Sequence, residues 1–272
     1  MQPPVHLADD MPKTKELHRI LGPKMMSCIT PIAGSVQGRT FHYGTGTLFR
    51  ADDFPFMVTA AHVLQKVKED KALLRLLDGK NGDHVGSVAI PKLEAYLGGE
   101  PADVAILPLG DEVVAALPNR TFLRLDEVAL RASRPGGCWV MGYLAETVEH
   151  GEAMIYNPFL LAAPFIDPLS SMANFDPAFN FLLDAKRDEL WWPDGTPANM
   201  PDRLEGVSGC PVWQLVGPDG WHPEHERIVG VQIGYYRTRS AVKATHWGAV
   251  AELLSHYRPD LQEILTMHFG CL

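Results

Sequence analysis

The feature that most constrains this chain is its punctuation: short apolar runs, each stopped within a few residues by Gly, Pro, Asn or Asp. Such runs suit strands joined by tight turns and leave little room for long helices. Thr45–Phe49 and Phe54–Thr59 form one pair of runs, separated only by Ala51-Asp52-Asp53 and its flank. Leu73–Leu77 and Val85–Ile90 form another, joined by DGKNGDH, a strong hairpin signal. Val104–Leu109, Cys138–Tyr143, Met154–Tyr156, Phe179–Leu183, Val212–Val216, Ile228–Ile233 and Thr245–Val250 continue the series. Many short strands at this spacing predict antiparallel sandwiches or barrels. At 272 residues there is room for one large β domain or two small ones sharing a core.

Helical signals concentrate at the two ends. Lys13–Leu21 has helical periodicity and is expected to stop at Gly22-Pro23. From Val250 to Met267 the apolar residues Leu253, Leu254, Tyr257, Leu261, Ile264 and Leu265 recur at helical spacing, with Pro259 set to kink or split the helix. Between about 150 and 205, Pro, Asn and Asp predict long loops around one or two strands such as FNFLLDA. No internal repeat or low-complexity tract is present.

Charge narrows the function classes. The net charge is −9 and no block of Lys or Arg stands out, so the basic footprint that displaces counterions from nucleic acid is missing. The same acidity disfavours an anionic membrane surface, and no window approaches the ~18 apolar residues that cross a bilayer. Met1–Asp10 carries neither a basic n-region nor an apolar h-region, so a cytoplasmic location is expected. Cys28, Cys138, Cys210 and Cys271 form no C-x-x-C pair, and reduced thiols are the simpler reading. His222 and His225, in WHPEHE, lack a second pair of ligands, so neither a metal nor any other cofactor is expected.

Three motifs carry chemistry. Thr59-Ala60-Ala61-His62 follows the run FPFMV, and its small residues leave room for an imidazole at the strand's rim. Ala102-Asp103-Val104-Ala105-Ile106-Leu107 puts an acid at the mouth of an otherwise buried strand, where an ionised carboxylate needs a partner. Gly206-Val207-Ser208-Gly209-Cys210-Pro211 is a serine flanked by glycines. Each alone has a plainer reading: a core histidine, a turn-capping aspartate, a glycine-rich turn. Their conjunction in the order His, Asp, Ser is far more specific.

These motifs resemble those of the trypsin-like (chymotrypsin-fold) serine peptidases, in their disulfide-poor bacterial form, over about Cys28 to Val250. GTGTLF, at Gly44–Phe49, is similar to the family's glycine-bearing strand ahead of the histidine. IVGVQIG, at Ile228–Gly234, is similar to the strand that lines the substrate cleft, which nominates Ile233 and Gly234 as substrate-binding. The resemblance implies an all-β fold of two antiparallel six-stranded β-barrels with a C-terminal helix. Its divisions are an N-terminal arm (1–24), an N-terminal barrel (25–130), a C-terminal barrel (131–249) and a helix (250–272).

It also implies a serine endopeptidase acting on a protein or peptide substrate, by limited proteolysis inside the cell. Ser208 would attack the acyl carbon, His62 would move its proton, and Asp103 would hold the histidine tautomer. The N–H groups of Gly206 and Ser208 would form the oxyanion hole, each donor worth about 3 kcal/mol in a dry site. Asp202, six residues before Ser208, stands where the family places the base of its first specificity pocket. A carboxylate there would favour Arg or Lys before the cleaved bond, although Arg203 beside it can neutralise it and a solvated loop aspartate is the plainer reading.

The chain also departs from the family. In the digestive enzymes the residue before the nucleophile is an aspartate that pairs with a freshly cut N-terminal amine, and here it is Val207. Cys210 replaces a small residue and reads as an apolar filler. Gly44-Thr45-Gly46 lacks the third glycine and the helix of a dinucleotide loop, and the Ser, Asp, His order of lipase-type enzymes is absent. Three alternatives stay open: a catalytically silent relative serving as a binding module, an esterase or acyl-transfer enzyme, and a protease awaiting an activating partner protein.

Overall fold

The computed structural model describes residues 21–79, 86–134, 137–145, 149–150, 154–155, 158–168, 172–185, 190–191, 196, 204–214, 216–217, 220–221 and 226–270. Of the expected helix Lys13–Leu21 all but Leu21 lies outside them, as do Asp202, His222, His225 and Cys271. Two largely antiparallel sheets make up most of the fold. The N-terminal sheet contains β1 (Ile29–Val36), β2 (Arg39–Ala51), β3 (Phe54–Ala60), β4 (Leu73–Asp78), β5 (Gly86–Ile90), β6 (Tyr96–Leu97), β7 (Val104–Pro108) and β8 (Leu123–Arg124). Its order is β5-β4-β1-β2-β3-β7-β6, antiparallel except where β8 runs parallel to β2. The predicted hairpin is β4 and β5, paired from Leu74–Ile90 to Asp78–Gly86.

In the second half, β9 (Gly137–Tyr143) is followed by the small ribbon β10 (Glu149–His150) and β11 (Met154–Ile155). The main sheet continues with β12 (Pro158–Ile166), β13 (Asn180–Asp184), β14 (Leu190–Trp191) and β15 (Pro211–Gln214). A second ribbon, β16 (Val216–Gly217) with β17 (Gly220–Trp221), precedes β18 (Arg227–Tyr236) and β19 (Ala241–His246). The order β13-β19-β18-β15-β9-β12 closes on itself, because β13 also pairs with β12 through Phe165–Leu183 and Ile166–Leu182. Closure removes the exposed ladder edge, and side chains such as Val140, Phe159, Leu161, Val212 and Ala244 fill the interior.

The expectation of two closed barrels holds for the second half alone. Among the described residues, β5 and β6 at the ends of the N-terminal sheet do not pair. Pro91 ends β5, Lys92–Ala95 carry no strand, and the two residues of β6 offer too short a ladder to complete a ring.

Helices also correct the first reading. Residues 21–27 are helical (α1), so Gly22-Pro23 lies inside a helix rather than ending it. Leu21 and Met25, one turn apart, are buried in the core, and that burial outweighs the local preference of the two breakers. The unforeseen α2 (Ala61–Glu69) follows β3 directly and buries Ala61, Val63, Leu64 and Val67. A short α3 (Asp111–Ala115) follows β7. The run Thr245–Val250 is a strand only to His246, after which α4 (Trp247–Tyr257) begins. A 3-10 turn at Pro259–Leu261 separates α4 from α5 (Gln262–Phe269), the split expected at the proline.

These last helices join the halves. Trp247 leaves β19 fully buried and packs on Phe49 of β2, with ring centroids 5.6 Å apart. The Arg258 guanidinium lies 3.8 Å from the ring centroid of Phe54 at the start of β3. One hydrophobic core accordingly runs from the N-terminal sheet through the outer face of the closed barrel to Leu254 and Leu265.

Candidate active site

His62 sits in the first turn of α2, where backbone N–H groups lack partners within the helix. No side chain of the local N-cap residue, Ala60, supplies one. Asp103 does so from the loop before β7. Its Oδ1 accepts the His62 backbone N–H at 3.0 Å and its backbone carbonyl accepts Ala61 N–H at 2.9 Å. Its Oδ2 lies 2.7 Å from His62 Nδ1. A positive φ of 47° at Asp103 turns carbonyl and carboxylate toward the same helix end, a conformation that Asp tolerates better than most residues.

This geometry fixes the imidazole's tautomer. A carboxylate only accepts, so in the neutral imidazole Nδ1 carries the proton and Nε2 the lone pair. The aspartate side chain is only 13% exposed while the histidine is 46% exposed, so the pair is shielded on the acid's side and open on the imidazole's.

Ser208 is half-buried in a turn between β14 and β15, and its Cys210-Pro211 flank runs into the closed barrel. The turn leans on the opposite sheet. Ser208 O accepts Thr45 N–H at 2.9 Å, and Gly206 O accepts Thr45 Oγ1–H at 2.9 Å. Gly209 has φ +94°, and a Cβ on it would lie 2.0 Å from Thr59 Oγ1 and 2.9 Å from Ala60 N. Glycine at 209 thus permits both the backbone conformation and the close approach. Thr59 and Ala60 belong to TAAH, so the serine turn and the histidine are held at the same end of β3.

Within the turn, Val207 N–H donates to Leu204, Gly209 N–H to Gln232, and Cys210 N–H to Val207. Among the described residues, the N–H groups of Gly206 and Ser208 have no acceptor. Cys210 is fully buried and burial pushes its thiol well up, which suits an inert filler rather than a nucleophile.

The other nominated residues lie farther along β18. Ile233 is an extra residue between the Gln232–Ala244 and Gly234–Lys243 pairs, a β-bulge, and its side chain is buried in the shared core. Gly234 faces Lys243, whose Nζ donates to Asn174 O and whose proton affinity is lowered by burial. Asp103's loop is also tied to the barrel, since Thr245 Oγ1 donates to Ala102 O at 2.6 Å and Asn180 Nδ2 to Pro101 O at 3.1 Å.

Several supporting residues carried no signal of their own in the sequence. Thr45 lies in GTGTLF and Thr59 in TAAH, but neither type nor spacing marks a hydroxyl that bonds across two sheets. His42, Asn180 and Thr245 were silent for the same reason.

Against known proteins, no family profile matches the chain, and no curated protein matches it. Solved structures do. The serine endoprotease from Yersinia pestis aligns over 89% of this chain and 67% of its own, with a TM-score of 0.53 and 10% identity. The thermostable serine protease AL20 from an extremophilic microorganism aligns over 87% of this chain and 99% of its own, with a TM-score of 0.54 and 11% identity. The architecture is the chymotrypsin-like serine protease fold.

Proposed function

We propose that this chain is a serine endopeptidase that cleaves a protein substrate through an acyl-enzyme, with His62, Asp103 and Ser208 as its triad. The observation that carries the reading is the double grip of Asp103 on His62, which leaves Nε2 as a ready base. The shared anchorage of the Ser208 turn and TAAH at one end of β3 supports Ser208 as the group that base serves.

In this mechanism Nε2 takes the Ser208 hydroxyl proton as Oγ attacks the scissile carbonyl carbon. The imidazolium, stabilised by Asp103, then protonates the leaving amine. The N–H groups of Gly206 and Ser208 receive the oxyanion that forms. Water repeats the sequence on the acyl-enzyme, releases the acid product and restores Ser208.

Cys28, Cys138 and Cys210 are unpaired and buried, which supports a reducing compartment such as the cytoplasm. Basic residues are the first to try before the cleaved bond, on the sequence offset of Asp202 alone, for which a solvated loop aspartate remains the plainer reading. The test is turnover of an internally quenched peptide library beside matched esters, by the wild-type chain and by Ser208→Ala. Peptide cleavage by the wild type alone supports an endopeptidase. Ester turnover without peptide turnover points to an esterase, and no turnover of either overturns the reading.

A further inference from the structure

An oxyanion hole depends on where two N–H groups point, and nothing covalent fixes that direction. In a trans peptide the N–H of one residue and the C=O of the residue before it point opposite ways. The Gly206 N–H is therefore aimed by whatever holds Glu205 O, and the Ser208 N–H by whatever holds Val207 O. Glu205 O accepts Ala145 N–H at 2.8 Å, and Val207 O accepts Cys210 N–H at 3.0 Å. Between these two peptide planes lies the Gly206–Val207 peptide, which must be held as well for the pair to keep its angle.

His42 provides that hold. Its Nε2 lies 3.2 Å from Gly206 O and 3.1 Å from Tyr143 O. Both oxygens only accept, so Nε2 carries the proton and is shared between them. Thr45 Oγ1 donates to the same Gly206 oxygen while accepting Tyr143 N–H at 3.1 Å. The turn is pressed onto the ring: a Cβ on Gly206 would lie 2.4 Å from His42 Cδ2 and Nε2. Tyr43 is the extra residue between the Ile32–Gly44 and Ala33–His42 pairs, and that bulge re-aims the strand between His42 and Thr45.

We propose that His42 is a positioning residue for the oxyanion turn, holding the Gly206 carbonyl by a neutral hydrogen bond in place of a charged lock. Val207 stands where the digestive enzymes carry the aspartate that pairs with a new N-terminus, so that lock is unavailable to this chain. Its replacement is built from β2 and is present without any cut. Burial lowers the His42 pKa to about 4, so the ring stays neutral and in one tautomer at physiological pH. The consequence is a turn set for catalysis in the isolated chain, with neither trimming nor an activating partner required.

This inference rests on the peptidase reading, and the test separates the two. Wild type, His42→Leu and His42→Gln are compared on one chromogenic peptide amide, with thermal melts of each. Leucine removes the donor, whereas the glutamine amide keeps an N–H within reach of the carbonyl. His42→Leu is expected to lower kcat about 10- to 100-fold with KM within about twofold, since the oxyanion contact belongs to the transition state. His42→Gln is expected to recover most of that loss. A purely structural role would lower the melting temperature without separating kcat from KM.

Should His42→Leu fail to fold, the ¹⁵N shifts of the wild-type ring decide: protonation at Nε2 is expected, and protonation at Nδ1 overturns the proposal. Wild-type turnover with kcat unchanged in folded His42→Leu overturns this inference alone. A wild type that neither turns over substrate nor forms an acyl-enzyme removes the peptidase reading and this inference with it.

Discussion

The His62–Asp103 pair and the Ser208 turn are held in opposite ways. The pair belongs to the open N-terminal sheet, where a helix start and a loop meet through three hydrogen bonds accepted by one aspartate. The serine belongs to the closed barrel, yet its turn is held from the other sheet as well as its own, by His42, Thr45 and the tight fit of Gly209 against Thr59. A sheet that does not close can still hold His62 against Asp103, because the helix start and the loop before β7 meet through backbone contact. For Ser208 to serve as the nucleophile of the proposed triad, its turn needs partners from the sheet that carries His62 and Asp103. Accuracy at the site therefore comes from contacts between the halves more than from barrel closure.

Breaking each hold should have its own signature. The largest effect is expected from Asp103→Asn. The amide oxygen can still cap the His62 N–H, but the amide NH2 then faces Nδ1 and forces the proton onto Nε2. kcat should fall by about 10⁴-fold with little change in melting temperature. A variant with near wild-type kcat would show that Asp103 is only a helix cap.

Next comes Gly209→Ala, which strikes the hold between the sheets. With φ +94° and a methyl 2.0 Å from Thr59 Oγ1, the turn must leave its seat or the sheets must part. A loss of about 3 kcal/mol or more in urea unfolding is expected, together with loss of activity. A variant as stable as wild type would mean that the turn is not wedged against β3.

Thr245→Val sharpens the comparison from the other side, because it cuts the tie between Asp103's loop and the barrel. It should cost about 1–2 kcal/mol, leaving Ala102 O and Asn180 Nδ2 short of a partner, with kcat reduced only modestly. A large kcat loss would show that the pair depends on the barrel as much as the serine turn depends on the sheet.

The most distributed effect concerns pH. Burial holds the pKa of His42 and of His246 down to about 4, and His246 Nδ1 accepts Ala132 N–H, which requires an unprotonated nitrogen. Unfolded histidines titrate near pH 6.5, so between those values the unfolded chain binds protons that the folded chain refuses. Stability present above about pH 6.5 should decline as the pH falls toward 4. Urea midpoints at pH 7 and 5 measure this, and His246→Gln should flatten the slope. Equal midpoints in the wild type would contradict the buried neutral state.

Much of this was legible in the sequence, for a physical reason. Strand periodicity and turn residues are local, so the runs FPFMV, VAILP and RIVGVQIG mark β3, β7 and β18 directly. β12 escaped notice because Pro158 and Pro164 interrupt its pattern, one at the first position and one opposite Gly137 near the end of its pairing with β9. α2 escaped because it begins with no gap after a strand and with no side-chain cap of its own, its capping carboxylate lying 41 residues away. The same separation hid His42 and Thr45, which matter through a carbonyl more than 160 residues distant. Closure of the second sheet was implied by the resemblance and not by the strand pattern, since β12 meets β13 through only two pairs of residues.

The central claim is that Ser208 is a nucleophile activated by His62. Its most direct test is incubation of the intact chain with a fluorophosphonate, followed by mass spectrometry of the digested protein. The account predicts one adduct, on Ser208, absent in Ser208→Ala and in folded His62→Ala. A folded wild type that stays unlabelled, or an adduct on another residue, would contradict it.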